Sequence, residues 1–535
     1  MKDKVRVLLL LIVLISFALR LYISWQNVTT LVEKIIVDDS FYGYSISKNI
    51  AYGNGVTYNG IDATNGFQPL WILILVPIFW ITHDIYLAVN LILTLASIID
   101  ILTVLIIFKL SERLFNEKIA LIAAVLYGIN PLIAFQTLGG IEVVFYTFMI
   151  TLTLFCYYRV KDKLNIKNII FLGLMLGLTM LARMDGLFLI IAICLHIFWI
   201  SRKNIKYEMR NILILGTVAL LIVSPWFIWS YTNFGTIVQS SAIARFNMNH
   251  GIFPFFDLKE PKNLFQTISM IIENLIRTIG SVLIQLGVVD FNINIITIFL
   301  SSLMLITLLV SLKNFKKLIV NLLFVLQIIL FYNLYLWGIQ IRYITPIIPT
   351  LIILISSGLF FIFNKIEKYK FLLTLIVIVI LVIFIFNGYE QWNRGYFSWQ
   401  KEIYKDALWI RNNTNPSDNI GVFSAGIPIY FSERRIINLD GVLNFNAIEA
   451  LKNKSVINYM KISNITIWYD SVYFNRTVTN DYLKGRKIDI LKENIWYNFL
   501  GEGKENLKLI EQREGIYKHL RGFDMVIVFF KAKLN

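Results

Sequence analysis

The chain has 535 residues, of which 57% are hydrophobic and 16% are charged. Soluble domains are about 45–50% apolar and about 25% charged, so this composition excludes an ordinary soluble protein and predicts a chain that lies mostly in a membrane. The net charge of +16 would suggest nucleic-acid binding in a soluble protein, but here the positions of the basic residues give it another origin, and no nucleic-acid partner is predicted.

The N-terminal segment MKDKVRVLLLLIVLISFALRLYISW begins with basic residues and continues as a long apolar run. No small-residue cleavage site follows it, which argues against a signal peptide. Arg20, Tyr22 and Trp25 close the run and are interpreted as residues at interface depth. The segment therefore predicts an uncleaved first transmembrane helix.

Apolar runs of spanning length recur along the chain, since a spanning helix needs about 17–25 residues. Two shorter runs, 69–82 and 277–290, are interpreted as interfacial or half-buried helices, and a crossing by either of them stays an alternative. About eleven spans are predicted, at residues 6–24, 85–108, 118–136, 140–158, 168–184, 185–200, 211–232, 292–312, 318–337, 343–364 and 371–388.

Six basic clusters separate these runs, and cytoplasmic loops of membrane proteins carry an excess of Lys and Arg. All six fall on one side if the chain crosses eleven times, with the N-terminus in the cytoplasm and the C-terminus outside. The positive charge is then mostly a topology signal. The clusters are Lys2/Lys4/Arg6, Lys109/Arg113/Lys118, Arg159/Lys161/Lys163/Lys167, Arg202/Lys203/Lys206/Arg210, Lys313/Lys316/Lys317 and Lys365/Lys368/Lys370.

This topology predicts two domains. Residues 1–389 form an all-α transmembrane domain with two long outer loops, 25–68 and 233–291, and residues 390–535 form an extracytoplasmic α/β domain. The tail is less apolar and its short alternating runs end in Gly turns, which is typical of strands. Its predicted strands are 419–426, 434–441, 465–470 and 525–534, and its predicted helix is 445–453.

The first outer loop contains the adjacent acids Asp38 and Asp39, in VDDSFYGYSISKNIAYGNG. Two adjacent carboxylates repel each other, and such pairs serve as a catalytic base or bind a divalent cation. The following residues have apolar side chains at helical spacing and predict an amphipathic interfacial helix. The alternative is purely structural, with Ser40 beginning the helix and Asp39 stabilising its N-terminus.

Four further charged residues lie at predicted outer ends of spans, where charge near hydrocarbon is costly and marks functional candidates. Glu142 follows a Gly-Gly turn, and its alternative is a favourable acidic helix start. Arg183 and Asp185, in LARMDG, lie in a very short turn that they could simply brace. Arg342 begins a span and suits bidentate contact with a phosphate, although an interfacial anchor is the alternative.

The six charged residues Asp38, Asp39, Glu142, Arg183, Asp185 and Arg342 are predicted to converge on one interface. Acids and arginines there suit an anionic lipid-type donor and a hydroxyl acceptor, because an acid can take the acceptor proton and an arginine can stabilise the leaving phosphate. The second outer loop adds Arg245 and several Phe residues. It is interpreted as an acceptor-binding flap or, alternatively, as a plain interfacial loop.

These segments resemble bacterial and archaeal GT-C glycosyltransferases, a group related to the protein O-mannosyltransferases and the aminoarabinose lipid A transferases. VDDSFYGYSISKNIAYGNGVTYNGIDATNGFQPLW (37–71) resembles the first outer loop of that group. LGGIE (138–142), LARMDG (181–186) and QIRYITPIIP (340–349) resemble its later blocks. The segment 409–444 resembles the accessory region of one uncharacterised prokaryotic branch.

The resemblance implies inverting transfer of a hexosyl or pentosyl group from a polyprenyl-phosphate donor to a lipid, glycan or protein acceptor at a prokaryotic cell membrane. It implies that Asp38 is the base and that Asp39 is its neighbour or the ligand of a divalent metal. Glu142, Arg183, Asp185 and Arg342 are implied to bind substrate. The loop lacks a D-x-D motif and the tail lacks W-W-D-x-x, so neither a metal requirement nor an oligosaccharyltransferase activity is implied.

Two other functions stay open from the sequence. A transporter or flippase of lipid-linked glycans would place ionisable groups near the bilayer midplane and would have interrupted helices in paired positions. A polytopic anchor whose tail binds a partner would need no charged residues among the spans. The clustering of charges at one predicted interface, beside a large outer domain, favours the transferase.

Overall fold

The computed structural model describes residues 2–200, 205–249, 264–287, 295–335, 340–364, 370–473, 507–518 and 524–534. Helices dominate these residues, and a small mixed sheet follows them. The helices are α1 Lys2–Ser24, α2 Val28–Lys34, α3 Asp38–Ala51, α4 Pro69–Ile81, α5 Ile85–Leu114, α6 Glu117–Gly128, α7 Pro131–Thr137, α8 Val143–Val160, α9 Ile166–Ala182, α10 Leu187–Ile200, α11 Ile205–Phe234, α12 Ser240–Asn249, α13 Leu264–Gln285, α14 Ile295–Ser311, α15 Phe315–Tyr335, α16 Ile341–Ile344, α17 Ile348–Asn364, α18 Lys370–Arg394, α19 Gln400–Asn413, α20 Gly426–Phe431, α21 Phe445–Lys452 and α22 Val456–Ile462.

The chain is a multi-pass membrane protein, as its composition predicts. Among the described residues, seven helices are long and apolar enough to cross a membrane, and the bent pair α6–α7 makes eight if it is one span. This number is below the predicted eleven because α9 and α10, with 17 and 14 residues, reach only about 25 Å and about 21 Å along a core about 30 Å thick. In addition, α14 and α15 join into one candidate span, Ser301–Leu334.

The two ambiguous runs are also helical. The run 69–82 is α4, whose 13 residues span only about 20 Å, which is short for a crossing. The run 277–290 coincides with the end of α13 up to Gln285, and residues 288–290 lie outside the described residues. Neither helix is among the candidate spans, and their interpretation as non-crossing helices stays a prediction.

Arg20 lies inside the bundle and not at its edge, contrary to the sequence-based interpretation. Its side chain and that of Asp100 are both 0% exposed, and Arg20 Nε donates to Asp100 Oδ2 at 2.7 Å. Tyr22 and Trp25 are exposed, as residues that close a span should be. Arg20 therefore belongs to the packing of α1 against α5, since its partner lies on α5.

The break between α6 and α7 shapes the end of the bundle that holds the candidate site. The two helices meet at 66°, and the Asn130 side chain accepts from the backbone N–H groups of Leu132 and Ile133 at the start of α7. A tight turn then leads to α8. Gly140 in that turn has φ +86, and a Cβ there would lie 2.3 Å from the Tyr44 hydroxyl oxygen of α3, so only Gly fits both the backbone conformation and the packing.

The C-terminal region contains a five-stranded sheet in the order β2-β1-β3-β5-β4, built from β1 Asn419–Val422, β2 Arg435–Asn438, β3 Ile465–Tyr473, β4 Leu507–Lys518 and β5 Asp524–Leu534. Strand β1 pairs in parallel with β2 and β3, whereas β5 pairs antiparallel with β3 and β4. The mixed α/β class is therefore confirmed, although the boundary at 389/390 falls within α18 and stays a prediction.

The first long loop and the C-terminal region share one apolar core, which includes Ile36, Phe41, Tyr430 and Phe431. Polar contacts extend this junction. Asn59 Nδ2 donates to the Ile436 carbonyl at 2.9 Å. The sheet region is therefore packed directly on the loop that carries the acidic pair.

Candidate active site

The acidic pair begins α3, and the turn before α8 holds that helix start in place. The backbone N–H of Val37 and the hydroxyl of Ser40 both donate to the Gly139 carbonyl, at 3.1 and 2.7 Å. Both carboxylates lie in the first turn of α3, where the helix dipole favours negative charge. The helix begins at Asp38, and not at Ser40 where the structural alternative expects it to begin, although the acids do lie at its N-terminus. That alternative also does not account for what the two side chains contact.

The Asp38 carboxylate turns away from its own helix and accepts hydrogen bonds from the C-terminal region. Its Oδ1 accepts from the backbone N–H of Ile427 at 2.7 Å, and its Oδ2 accepts from that of Gly426 at 3.2 Å. Burial and the adjacent Asp39 raise the pKa of Asp38 to about 7, although the two backbone donors oppose the rise. A base with a pKa near neutral pH is well matched to proton abstraction.

Asp39 has the opposite electrostatic environment. Arg342 Nη1 donates to Asp39 Oδ2 at 2.5 Å. Burial raises the pKa of Asp39, but the positive charges of Arg342 and Arg245 outweigh it and hold the pKa below its usual value. The two neighbouring carboxylates therefore differ in their protonation behaviour, which is typical of pairs that divide acid–base roles.

Arg183 joins the other predicted residues. Its Nη1 donates to Glu142 at 3.0 Å and its Nε to Asp185 at 3.1 Å. Its Nη2 donates to the Tyr332 hydroxyl at 3.2 Å, and that hydroxyl donates to Asp185 at 2.5 Å. The Arg183–Asp185 pair braces the turn, as the structural alternative expects, but the same guanidinium also reaches α8 through Glu142.

An aromatic ring connects the two arginine clusters. The guanidinium carbons of Arg183 and Arg342 lie 4.9 and 5.3 Å from the centroid of the Tyr343 ring. Tyr332 stacks on the same ring with a centroid distance of 4.6 Å. Asp39, Arg342, Arg183, Asp185 and Glu142 are therefore linked through direct contacts that include the Tyr343 ring. Asp38 joins this group as the chain neighbour of Asp39, and the catalytic and binding roles of all six residues stay predictions.

Sequence reasoning missed Asp440, a further acid near this site. Asp440 follows β2 and is only 9% exposed. Burial is the main cause that raises the pKa of Asp440 to about 8, and the charges of Asp39 and Asp38 add to it. The sequence places Asp440 in a Gly turn after a strand, a pattern typical of surface turns that carries no signal of this neighbourhood.

The residues that the structure describes contain no cluster of side chains suited to hold a divalent metal. Within the parts of the chain that the structure describes, no three His, Cys, Asp or Glu residues come together as metal ligands. Asp39 is occupied by Arg342, and Asp38 by two backbone donors. The positive charge next to Asp39 is supplied by the Arg342 guanidinium, and a divalent metal at Asp39, one of the two roles that the sequence leaves open, stays a prediction.

The resemblance implies transfer of a sugar from a lipid-linked donor, which can be followed with a radiolabelled sugar. We expect that transfer to survive removal of divalent ions with EDTA, because the positive charge beside Asp39 comes from Arg342. The rate after chelation should stay within about twofold of the untreated rate, since no charged partner of the acids is lost. The measurement is the initial rate before chelation, after it, and after re-addition of Mg²⁺, Mn²⁺ or Zn²⁺. Loss on chelation with rescue by one ion would contradict the expectation.

Comparison with known proteins agrees with the resemblance drawn from the motifs. A family model described as dolichyl-phosphate-mannose-protein mannosyltransferase matches residues 70–229, less than a third of the chain. No curated protein matches the chain by sequence.

Solved structures match over most of the chain. The archaeal oligosaccharyltransferase AglB from Archaeoglobus fulgidus, in complex with an inhibitory peptide and a dolichol-phosphate, is 16% identical, with a TM-score of 0.57 over 88% of this chain and 69% of that one. An oligosaccharyltransferase from the same organism, in complex with Zn and sulfate, is 15% identical, with a TM-score of 0.59 over 97% and 72%. ArnT from Cupriavidus metallidurans, bound to undecaprenyl phosphate, is 11% identical, with a TM-score of 0.57 over 97% of each chain. The GT-C fold predicted from the sequence is confirmed.

Proposed function

We propose that this chain is a membrane glycosyltransferase that moves a hexosyl or pentosyl group from a polyprenyl-phosphate-linked donor to an extracytoplasmic acceptor with inversion. The observation that carries the proposal is the pair Asp38–Asp39, in which one acid has a pKa of about 7 and the other is held ionised by Arg342. The two long loops and the C-terminal region then lie outside, and the N-terminus lies in the cytoplasm.

In this mechanism Asp38 accepts the proton of the acceptor hydroxyl as the hydroxyl oxygen attacks the anomeric carbon of the donor. The bond between that carbon and the phosphate oxygen breaks, and the electron pair leaves with the polyprenyl phosphate. A single displacement from the opposite face inverts the anomeric centre. A positioned base of this kind contributes about 10²–10⁴ in rate.

The arginines suit the leaving phosphate. Charge develops on the phosphate oxygens as the bond breaks, and fixed cationic donors stabilise it strongly in a partly dry site. Arg342 is suited to this role because its Nε is buried and has no hydrogen-bond partner among the described residues. Arg183 lies against the same Tyr343 ring, 4.9 Å from its centroid, and would hold the second side of the anion. Among the structural relatives, AglB contains a dolichol-phosphate and ArnT an undecaprenyl phosphate.

The acceptor is proposed by class, as a hydroxyl group of a lipid, glycan or protein on the outer side of the membrane. One structural relative is an oligosaccharyltransferase tethered with an acceptor peptide, which supports a protein among these acceptor classes. Membrane lipids surround the spans in every version of the proposal.

The test is transfer of radiolabelled sugar from a total membrane lipid extract to endogenous acceptors, with purified wild type and Asp38→Asn at equal folded yield. Transfer by the wild type alone supports the transferase and the role of Asp38. Equal transfer by both would remove Asp38 as the base. If neither protein transfers label but the wild type moves lipid-linked sugar across vesicle membranes, the flippase alternative would replace the proposal.

A pH profile gives an independent check. Asp38 accepts a proton only in its ionised form, so kcat/KM should fall about tenfold per pH unit below the pKa of about 7 and level off above it. The unfolding temperature, measured over the same pH range, distinguishes this fall in kcat/KM from loss of activity through acid denaturation. A rate that stays constant between about pH 5 and pH 8 would contradict the assignment of Asp38.

A further inference from the structure

The C-terminal region reaches the first turn of α3 with its backbone as well as with side chains. The segment Ala425–Ile427, between β1 and the body of α20, donates three backbone N–H groups toward α3. Gly426 and Ile427 donate to Asp38, and Ala425 donates to the Tyr42 hydroxyl at 3.0 Å. The carboxylate is thus held by amides that belong to a region about 390 residues later in the sequence.

Gly426 leaves no room for a side chain at this contact. A Cβ added there would lie 2.1 Å from the Asp38 carbonyl oxygen and 2.9 Å from the Asp38 carboxyl carbon. Real Cβ atoms do not approach backbone oxygens so closely, so an alanine would force the segment away from α3. The absence of a side chain at 426 is therefore required by the approach to Asp38 itself.

A second contact from the same region holds the backbone of Asp38. Gln400, the first residue of α19, accepts the Asp38 backbone N–H through Oε1 at 2.9 Å. Its Nε2 donates to the carbonyls of Val32 and Ile36 at 2.8 and 2.7 Å, so both polar side-chain atoms of Gln400 contact the backbone between Val32 and Asp38. The main chain of Asp38 is held by Gln400 and its carboxylate by Gly426 and Ile427.

The C-terminal region would pack on the first long loop even without the contacts to Asp38. The junction is already made by the shared apolar core, by Asn59 with Ile436, and by the Arg435 guanidinium with the Asp62 carboxylate at 3.4 Å. A docking contact also gains little from a buried carboxylate, whose desolvation is costly. Amide donors do, however, favour the ionised form of a carboxylate and restrict its orientation.

We infer that the segment Ala425–Ile427 is a positioning element of the active site, in which the backbone N–H of Ile427 and the side-chain-free Gly426 aim the Asp38 carboxylate at the acceptor. The inference rests on the proposed function, because it assumes that Asp38 is the base. It adds that the C-terminal region completes the reaction centre and does more than bind acceptor. Gly426, Ile427 and Gln400 are positioning residues, since none is assigned a contact with substrate.

Ile427→Pro tests the amide directly, because proline has no N–H and is tolerated in the first turn of a helix. Ile427→Ala is the matched control, since it removes the same buried side chain and keeps the N–H. Loss of a hydrogen bond to a charged group should shift the acid limb of the kcat/KM profile upward by about one pH unit relative to Ile427→Ala. At about pH 6 the proline variant should be about tenfold slower than the alanine variant, and the two should converge at about pH 9.

Infrared difference spectra of wild type minus Asp38→Asn give a readout without turnover, because the carbonyl stretch of a protonated carboxyl group reports the titration of Asp38. The same spectra on the Ile427 variants should show the same upward shift. Gly426→Ala keeps every backbone N–H but pushes the segment Ala425–Ile427 away from Asp38, so it should lower kcat at least about tenfold. This variant provides the test if Ile427→Pro does not fold.

The outcomes separate this inference from the proposed function. Full activity in Asp38→Asn overturns both. An inactive Asp38→Asn, together with identical acid limbs for Ile427→Pro and Ile427→Ala, overturns the inference alone. Wild-type kcat in Gly426→Ala also overturns it, since the approach of Gly426 to Asp38 would then have no role in the reaction.

Discussion

Asp38→Asn is expected to lower the transfer rate by about 10²–10⁴, the range of a positioned general base. Asparagine cannot accept the acceptor proton, yet its side-chain oxygen can still accept the backbone N–H of Ile427, which lies 2.7 Å from Asp38 Oδ1. The substitution also removes the repulsion between two adjacent carboxylates. The loss should therefore appear in kcat, with the unfolding temperature unchanged or slightly raised, and it is measured by single-turnover transfer at saturating donor.

Glu33→Gln is the matched control for this variant. Glu33 is an acid of the same loop, and among the described residues its carboxylate forms ion pairs with Lys34 and Lys401 near the surface. Exposed ion pairs contribute about 0–1 kcal/mol, so Glu33→Gln should keep wild-type turnover. A rate for Asp38→Asn within about threefold of that control would show that another group takes the proton, with Asp39 the first to test.

The sequence predicted the residues of this site that can be recognised from their immediate sequence neighbours. Charges among apolar runs are rare, so Glu142, Arg183 and Arg342 stood out, and positive-inside counting placed them on one side with Asp38 and Asp39. The structure brings all of these together. Helix α3 was predicted for a similar reason, because its apolar spacing continues from an acidic start to Gly53.

The parts that the sequence did not predict are long-range contacts with no local signature. Tyr343 lies between two arginines, but the chain contains 26 tyrosines, and tyrosines beside membrane interfaces are ordinary. The amide of Ile427 carries no side-chain signal at all. A strand followed by Ser-Ala-Gly-Ile-Pro indicates a helix start, but it does not indicate which carboxylate that start will meet.

Asp100 was missed for a different reason. Asp100 lies within a run that is otherwise largely apolar, and a single acid changes the mean hydropathy of such a run too little to mark it as unusual. Its partner Arg20 was assigned to the interface because it lies near the end of α1, where arginines usually reach water. Whether a charged residue near the end of a span is buried depends on whether an opposite charge on another span can pair with it. A single sequence does not show which spans are neighbours.

The Arg20–Asp100 pair supports the candidate site from inside the bundle. Arg20 Nη1 donates to the Gly128 carbonyl at 2.7 Å, at the end of α6 where the helix breaks. Asp100 accepts from the Tyr127 hydroxyl at 2.8 Å and from the Thr137 hydroxyl at 2.9 Å. Thr137 ends α7, directly before the turn whose Gly139 carbonyl holds α3. The pair thus satisfies the polar groups of a broken helix that has no water to bind.

Asp100→Leu is expected to destabilise the protein by about 3–5 kcal/mol, the cost of leaving a buried charge without its partner. Arg20 would then be buried and uncompensated, and the Tyr127 hydroxyl would lose its acceptor. The Thr137 hydroxyl would lose Asp100 but keep the carbonyls of Ile133 and Ala134 in its own helix. The measurement is the unfolding temperature in detergent, with residual transfer at a temperature where the variant is still folded. Transfer should fall as well, because the turn that positions Asp38 is anchored through Thr137.

The double variant Arg20→Met, Asp100→Leu separates the charge from the packing. Apolar replacement of both members of a buried ion pair is often neutral or stabilising, so the double variant should recover most of the lost stability. Its recovery should be incomplete, because the Gly128 carbonyl loses its Arg20 donor and the Tyr127 hydroxyl loses its Asp100 acceptor. If the two single substitutions instead add in the double variant, Arg20 and Asp100 act independently, and the break between α6 and α7 is held by other contacts.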